Sequence, residues 1–497
     1  MKDYTTLSLW LDTTSRTGYP KLEKDLGDFD SVIIGGGIAG IMTAAKLKEA
    51  GQRVALIDLK RILEGVTGNT TAKVTSQHGL IYARLIRHFG EATAKMYGEA
   101  NQAALEHIAS GIKRKKIDCN YKRAAAYIYA QDAEGYEKVK EEVWAARSIG
   151  LPASLTNEIE LPLKIKGALK FDQQAYFHPR KYLLALAKEI PGAGSFIFEN
   201  TRALGAEEDR KGIRVKTNRG IISARHCLIT SHHPINSEAA YYSKMHYYRS
   251  YALAALLEEK VPSDMYISYG GDFNYRSFRP HSEGKKTYLI LGGERHPSGE
   301  DIRSRERYQK LEEDLRQMFK VKEVVYRWSA QDNFPFDGIP LIGRYQKDSR
   351  RFWVATGFQG WGMTTGVVAG MLLTDLLQGR SNPWEGLFYP HRPSSFSETR
   401  DSFSFDKTVV KNLISHRIKK SLGKTTTQGQ VIDWKGKKVA LYHEERKQPL
   451  SASCTHKGCI VNWNDAEKTW DCPCHGSRFN VQGEVIQGPA TRDLPPL

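Results

Sequence analysis

The chain has 497 residues, of which 40% are hydrophobic and 10% aromatic, and its formal net charge is +17. This length and composition indicate a globular protein of about three domains and exclude an intrinsically disordered chain. Six cysteines in so long a chain exclude a secreted disulfide scaffold. The basic residues are spread along the chain without a nucleic-acid-binding motif, so we expect no nucleic-acid partner, whereas an acidic redox partner would suit the charge.

The sequence divides into four parts. A polar lead-in covers residues 1–29, and a large oxidoreductase-like region covers residues 30–392. Residues 393–427 form a Ser-, Thr- and Lys-rich linker with a helical patch at 406–422, and residues 428–497 form a compact module. No apolar run is long enough to cross a bilayer, and residues 1–27 lack the organisation of an export leader. We therefore expect no transmembrane segment and a cytoplasmic location.

The second part begins with a βαβ unit. A short apolar strand from Asp30 runs into a glycine-rich turn, residues 38–50 have the pattern of a helix, and residues 53–58 that of a second strand. A glycine-rich turn between two strands predicts a dinucleotide site, with the phosphates at the helix N-terminus.

Each glycine of this turn has an expected role. Gly35 allows the tight turn, Gly37 lets the backbone approach a pyrophosphate, and Gly40 lets the helix pack on the strand. Asp58, at the end of the second strand, suits a ribose hydroxyl.

Two further segments bear on which dinucleotide this turn binds. Residues 65–78 include Thr71 and Ala72, and residues 355–366 open an apolar helix that extends to about Leu377. Together with the glycine-rich turn they resemble the glycine/D-amino-acid oxidase-like FAD oxidoreductases, the DAO superfamily, over roughly residues 30–390. The resemblance implies an α/β FAD-binding domain of the Rossmann-like, DAO type with an antiparallel substrate domain.

The resemblance also implies where the flavin lies. The first of the two segments would lie beside the flavin. The second would place backbone N–H groups near the pyrimidine end of the flavin ring and stabilise negative charge there. The residues concerned in the second segment are Gly357, Gly360, Gly362 and Met363. The first segment has no His before His78, and residues 355–377 contain no Cys, so we expect non-covalent FAD.

The catalytic residues are less evident from the sequence, and four are candidates: Lys73, His78, Asp332 and Arg276. Lys73 and His78 are the nearest candidates for a proton-handling group at the flavin, and a purely structural role is the alternative for each. Many amino-acid oxidases of this superfamily have an Arg before a D-G-x-P turn to clamp a substrate carboxylate; counted from Asp337-Gly338, that position is Asp332. An acid there suggests a cationic amine or betaine-like substrate.

Two alternatives to this substrate hypothesis stay open. Asp332 could cap a turn without meeting substrate, and Arg276 or Arg279 could supply an anion clamp from the substrate domain. A further iron site at His226, His232 and His233 is not expected, because no carboxylate has a suitable spacing and strand and loop positions explain these residues.

The C-terminal module contains two Cys/His boxes. Cys454-Thr-His456-Lys-Gly-Cys459 and Cys472-Pro-Cys474-His475-Gly-Ser477 suit a metal site on two facing loops, either a Cys₂His₂ zinc site or a [2Fe–2S] cluster with mixed ligands. The boxes resemble those of the Rieske family, an all-β domain. That resemblance implies Cys454 and Cys472 on one iron, His456 and His475 on the other, a disulfide between Cys459 and Cys474, and a covering loop at Gly488-Pro489.

The module departs from some Rieske proteins at one position. Phe479 stands where high-potential members have a Tyr that donates to a ligand sulfur, so we expect a lower potential. The whole chain resembles the Rieske-containing FAD oxidoreductases found in bacilli. This resemblance implies oxidation of an amine or amino-acid-like substrate at FAD and transfer of single electrons through the cluster to an external protein or quinone-like acceptor. The alternatives are a reductase that feeds a separate oxygenase, and a redox sensor.

Overall fold

The computed structural model describes residues 6–235, 241–270, 275–299, 303–393, 428–443 and 448–497. The expected helical patch at 406–422 lies outside these residues. The helices are α1 (Leu9–Asp12), α2 (Ile38–Glu49), α3 (Tyr82–Phe89), α4 (Glu91–Lys115), α5 (Ala133–Ser148), α6 (Pro179–Ala187), α7 (Ser304–Met318), α8 (Gly362–Leu377) and α9 (Glu385–Phe388), with short 3₁₀ turns at Val66–Asn69 and Tyr241–Lys244.

The strands of the first 392 residues form two sheets. They are β1 (Leu26–Ile34), β2 (Val54–Ile57), β3 (Lys73–Val74), β4 (Lys122–Ala130), β5 (Ala153–Thr156), β6 (Gly167–Tyr176), β7 (Phe196–Phe198), β8 (Ala203–Glu208), β9 (Ile213–Thr217), β10 (Gly220–Ile229), β11 (Met245–Leu257), β12 (Met265–Tyr269), β13 (Arg276–Glu283), β14 (Lys286–Pro297), β15 (Val321–Pro335), β16 (Leu341–Arg344) and β17 (Phe352–Thr356).

The first sheet is built around parallel strands in the order β16-β17-β10-β1-β2-β7, with β9 and β8 added beside β10. Strand β1 pairs in parallel with β2 and β10, which confirms the βαβ unit and the return of the chain to this sheet. Helix α8 packs on α2 so closely that a Cβ placed on Gly370 would lie 2.8 Å from the Cβ of Met42. Helix α2 begins four residues after the end of β1 and α8 six residues after the end of β17, so both helices have their N-termini at the carboxyl ends of parallel strands, where ligands bind in such folds.

The second sheet has the order β15-β11-β14-β13-β12-β4-β6-β3, with β5 beside β6. Its pairs are antiparallel except for β4 with β12, so the antiparallel substrate domain is confirmed. Strand β15 pairs with β11 along its length, from Met245 opposite Pro335 to Leu257 opposite Val321. The C-terminal end of β15 thereby reaches the parallel sheet.

The N-terminal segment differs from its expected role as a polar lead-in. Ser8 caps the single turn α1, in which Leu9 and Trp10 are fully buried. The Trp10 indole donates to the carbonyl of Thr70 at 2.6 Å. Two apolar residues in a largely polar segment give no periodic signal, and their burial depends on a partner sixty residues away.

The C-terminal domain is all-β, as expected. Its strands are β18 (Gly429–Trp434), β19 (Lys437–Tyr442), β20 (Leu450–Ser451), β21 (Asn462–Asn464), β22 (Thr469–Asp471), β23 (Arg478–Phe479) and β24 (Val485–Gln487). They form a three-stranded and a four-stranded antiparallel sheet around a core that includes Trp463, Trp470 and Phe479. Among the described helices of the whole chain, none is long and apolar enough to span a membrane.

Candidate functional site

A cavity of about 570 Å³ lies at the carboxyl ends of the parallel strands. It gathers most of the residues that the sequence assigns to FAD, including Gly35, Gly37, Asp58, Thr71, Gly357, Gly360, Gly362 and Met363. Gly40 lies beneath it, where a Cβ would be 1.9 Å from the carbonyl oxygen of Gly35. Ala72 also lies behind the wall, and its carbonyl accepts from Arg279 at 2.8 Å. These two residues shape the cavity without lining it.

The glycine-rich turn forms one end of this cavity. Gly35 has a φ of +109°, and a Cβ there would lie 2.7 Å from the backbone of Ser231. The Asp58 carboxylate accepts from the backbone N–H groups of Gly36 at 2.8 Å and Lys60 at 2.9 Å. Burial raises the pKa of Asp58 to about 6, although these two donors lower it. The carboxylate therefore fixes the turn and also faces the cavity.

Asp332 and Gly360 form the opposite end. The Gly360 N–H donates to the Asp332 carboxylate, whose pKa is raised to about 6 by burial despite the opposing effects of Arg295 and this donor. Two cavity-lining polar atoms, Nε2 of His232 and Oδ1 of Asn333, are buried without a hydrogen-bond partner within the described structure. Unpaired buried polar atoms indicate a polar ligand, and FAD, which carries both donors and acceptors, fits these two atoms.

The other catalytic candidates are not in the cavity wall. Lys73 is buried, and its ammonium contacts Ser277, a lining residue, and Thr71 at 3.4 Å. Burial, with a smaller effect of Arg279, lowers the pKa of Lys73 to about 7. His78 contacts Tyr97 at 2.7 Å and the carbonyl of Thr75 at 2.7 Å, and therefore fixes its own loop to helix α4.

The two arginines considered as anion clamps are engaged elsewhere. Arg276 donates to Asp314 and Glu294, each at 2.6 Å. Arg279 bonds to the carbonyls of Ala72 and Phe177, at 2.8 and 3.2 Å. Neither guanidinium lines the cavity, so the structure does not support an anion clamp at either residue.

The four expected cluster ligands lie together on two loops of the C-terminal domain. Cys454, Cys472 and His475 are buried, and His456 is half-buried. The two imidazole rings have centroids 4.9 Å apart, and Nδ1 of each is buried without a partner in the described structure. Burial lowers the pKa of His456 to about 4 and, with the neighbouring His456, that of His475 to about 3. Neutral imidazoles with free nitrogens fit metal coordination.

The other two cysteines of the boxes form a disulfide, Cys459–Cys474, with Cα atoms 6.4 Å apart. Their sulfurs and that of Cys472 lie within 4.8 Å of one another. Since disulfide sulfurs are not thiolates, only Cys472 of these three is available to a metal. Together with Cys454 and the two histidines it gives a ligand set of two sulfurs and two nitrogens, and we propose these four residues as the ligands.

The cluster domain docks directly on the cavity. Gln331, which precedes Asp332 in β15, donates from Nε2 to the carbonyl of Gly476 at 3.0 Å. A Cβ on Gly476 would lie 2.2 Å from that nitrogen, so any other residue there would displace the Gln331 amide. Tyr242 lies edge-on to both ligand rings, 5.3 Å from His456 and 5.1 Å from His475.

Buried ion pairs hold the domains together. Arg249, 1% exposed, lies 3.6 Å from Glu467 and 3.5 Å from Asp471, and Arg478 pairs with the same two acids. Sequence reasoning missed Arg249, Gln331 and Tyr242. An arginine in a strand rich in apolar and aromatic residues is a local signal that could have indicated the first of them.

This combination of fold and site defines a flavin-dependent oxidoreductase fused to an iron–sulfur domain. The family model described as FAD dependent oxidoreductase (DAO) matches residues 30–376, and the Rieske [2Fe-2S] domain model matches residues 419–497. The chain therefore belongs to the DAO family of FAD-dependent oxidoreductases and has a C-terminal Rieske domain. FAD and a [2Fe–2S] cluster are its cofactors, and the Rieske assignment excludes the zinc alternative.

Known proteins resemble the whole chain or its larger part. YhfW of Bacillus subtilis (strain 168), which carries the name of a Rieske 2Fe-2S iron-sulfur protein, is 35% identical over 98% of this chain and 96% of its own length. Gamma-glutamylputrescine oxidoreductase of Escherichia coli (strain K12) is 24% identical over 73% of this chain and 87% of its own. The crystal structure of glycine oxidase from Geobacillus kaustophilus, 18% identical, superposes with a TM-score of 0.61 over 75% of this chain and 100% of that one.

Proposed function

We propose that the protein oxidises an amine or amino-acid-like substrate at FAD and delivers the electrons singly, by way of its Rieske cluster, to an external protein or quinone-like acceptor. Bound FAD supplies two-electron oxidation of a C–H bond beside an amine nitrogen, and a [2Fe–2S] centre supplies one-electron transfer. The chain's own residues bind, orient and connect the two sites.

The observation that carries this proposal is the hydrogen bond from Gln331 to Gly476, 3.0 Å long. Gln331 is adjacent in sequence to Asp332 of the FAD cavity, and Gly476 is adjacent to His475, a proposed ligand. One side-chain hydrogen bond thus connects the two sites. This favours internal electron transfer over two independent redox centres.

Asp332 supports an amine as the substrate. Its carboxylate borders the cavity beside Gly360, and the pKa of about 6 leaves it ionised at neutral pH. A negative group at this position attracts a cation and repels a carboxylate. The name of the Escherichia coli relative, gamma-glutamylputrescine oxidoreductase, also describes an oxidoreductase of an amine-bearing compound.

Arg295 adds a positive charge near Asp332. Its guanidinium lies over the rings of Tyr248, Tyr275 and Phe334, at 5.3, 5.8 and 5.4 Å from their centroids. Tyr275 lines the cavity, so the positive charge of Arg295 lies just behind the cavity wall.

The cytoplasmic location stays a prediction from the sequence.

An anaerobic titration tests the proposal. The purified protein, produced with iron and sulfide supplied, would be mixed with a panel of amines and amino acids, while visible absorption follows the flavin and low-temperature EPR follows the cluster. We expect a cationic amine to bleach the flavin and a Rieske-type signal to appear with it. Bleaching without that signal would leave an oxidase whose cluster has another task, and rapid bleaching by NADH would favour a reductase.

A further inference from the structure

The Rieske domain supplies one wall of the FAD cavity. Val485–Thr491 line it together with the glycine-rich turn and Asp58 after the end of β2. This segment contacts the FAD domain in two places: a Cβ placed on Gly488 would lie 3.5 Å from the Cβ of His233, and the Thr491 carbonyl accepts from Arg202 at 3.4 Å. The segment therefore crosses the carboxyl ends of the parallel strands, where phosphates and riboses bind in sheets of this type.

Two buried donors along this boundary have no partner among the described residues. They are Nε2 of Gln487, in the Rieske domain, and Nε of Arg202, just before β8 in the FAD domain, and both residues line the cavity. The rest of the Arg202 guanidinium is held in place, because Nη1 pairs with Asp493 of the Rieske domain at 2.9 Å. Leaving a buried N–H without an acceptor is costly. Two such donors at one boundary indicate a ligand with several acceptor atoms.

We propose that Gln487 and Arg202 donate hydrogen bonds to oxygen atoms of the adenosine-diphosphate half of FAD, so that the Rieske domain is part of the flavin-binding site. The proposal rests on FAD being bound and does not involve the amine or the external acceptor. The two donors line the same cavity as the glycine-rich turn and Asp58, the residues suited to pyrophosphate and ribose. Bound FAD then contacts both domains, so flavin binding and domain docking stabilise each other.

The affinity of the full-length protein for FAD tests this inference. Deflavinated wild type, Gln487→Leu and Gln482→Leu would be titrated with FAD, following flavin fluorescence. Leucine removes the amide at similar volume, and Gln482, exposed on the same domain, is the matched control. We expect Gln487→Leu to raise the Kd for FAD about five- to tenfold, and Gln482→Leu to leave it unchanged. If Gln487→Leu and Gln482→Leu both retained a full cluster content and had equal Kd values for FAD, the proposal would be overturned.

Hydrogen exchange of the wild type gives a second measurement that needs no variant. We expect the backbone amides of the segment 485–491 to exchange more slowly with FAD bound than without it. The amides of the exposed Lys435–Gly436 turn should exchange at the same rate with and without FAD. Unchanged exchange in the segment would also contradict the inference. Because neither measurement uses an amine, a failure to find a substrate would leave both results interpretable.

Discussion

Nη2 of Arg249, in strand β11 of the substrate domain, lies 3.5 Å from Oδ2 of Asp471 in the Rieske domain, and both side chains are buried. Burial alone would raise the pKa of Asp471, but Arg478 and Arg249 lower it to about 2. Both arginines therefore favour the ionised forms of Asp471 and Glu467, whose pKa values they lower. This arrangement fixes the Rieske domain in one position against the flavin cavity.

Replacing Arg249 by Met should destabilise the protein by about 3–5 kcal/mol, because it leaves a buried negative charge only partly compensated. Arg214→Met is a suitable control, since that side chain is exposed and its ion pairs with Glu207 and Asp209 are 3.8 and 3.6 Å long. Denaturant unfolding followed by tryptophan fluorescence would measure both. Equal stability of the two variants would show that the buried pairs do not hold the domains.

A cluster ligand can be distinguished from an ordinary histidine by metal content. His475→Ala should lose the iron and the acid-labile sulfide, because the ligand set is broken. FAD content measured at saturating FAD should stay near one per chain, because the residues that line the flavin cavity are unchanged. His443→Ala, at an exposed position of the same domain, should keep both. Iron and sulfide analysis with flavin absorbance gives the answer. Two irons retained in His475→Ala would remove this residue from the ligand set.

Much of this architecture follows from local sequence. The βαβ unit, the helix beginning at Gly362 and the two metal boxes were predictable because each depends on residues near one another in the chain. The docking of the domains was not, since Gln331 and Gly476 are 145 residues apart and their contact depends on the final packing. Trp10 was missed for the same reason: its burial depends on Thr70.

The contact between Gln331 and Gly476 should affect the second electron step and not the first. We expect Gln331→Met to leave flavin reduction by substrate unchanged and to slow cluster reduction severalfold, because one interdomain hydrogen bond, worth about 1 kcal/mol, is lost. Gln359→Met is the control: Gln359 also lines the cavity but donates to Gly338, within the FAD domain. Stopped-flow absorption at flavin and cluster wavelengths separates the steps. Cluster reduction at the wild-type rate in Gln331→Met would mean that electrons do not depend on this contact.

Asp332 should make the binding of a cationic substrate depend on pH. Because burial raises its carboxyl pKa to about 6, the group is ionised above pH 6 and becomes neutral as the pH falls below that value. The attraction of Asp332 for a cation is therefore lost as the pH falls, and kcat/KM should decrease by up to about tenfold for each pH unit below 6. The measurement is the pH profile of kcat/KM for an amine that stays protonated from pH 5 to 8.

Two variants complete that experiment. Asp332→Asn should have low kcat/KM at every pH and a profile that is flat near pH 6, because the neutral amide cannot ionise. Asp348→Asn, at an exposed position outside the cavity, should keep the wild-type profile. If Asp332→Asn instead kept the wild-type inflection and activity, the carboxylate would serve only the loop at Gly360, and the cationic-substrate hypothesis would have no residue to support it.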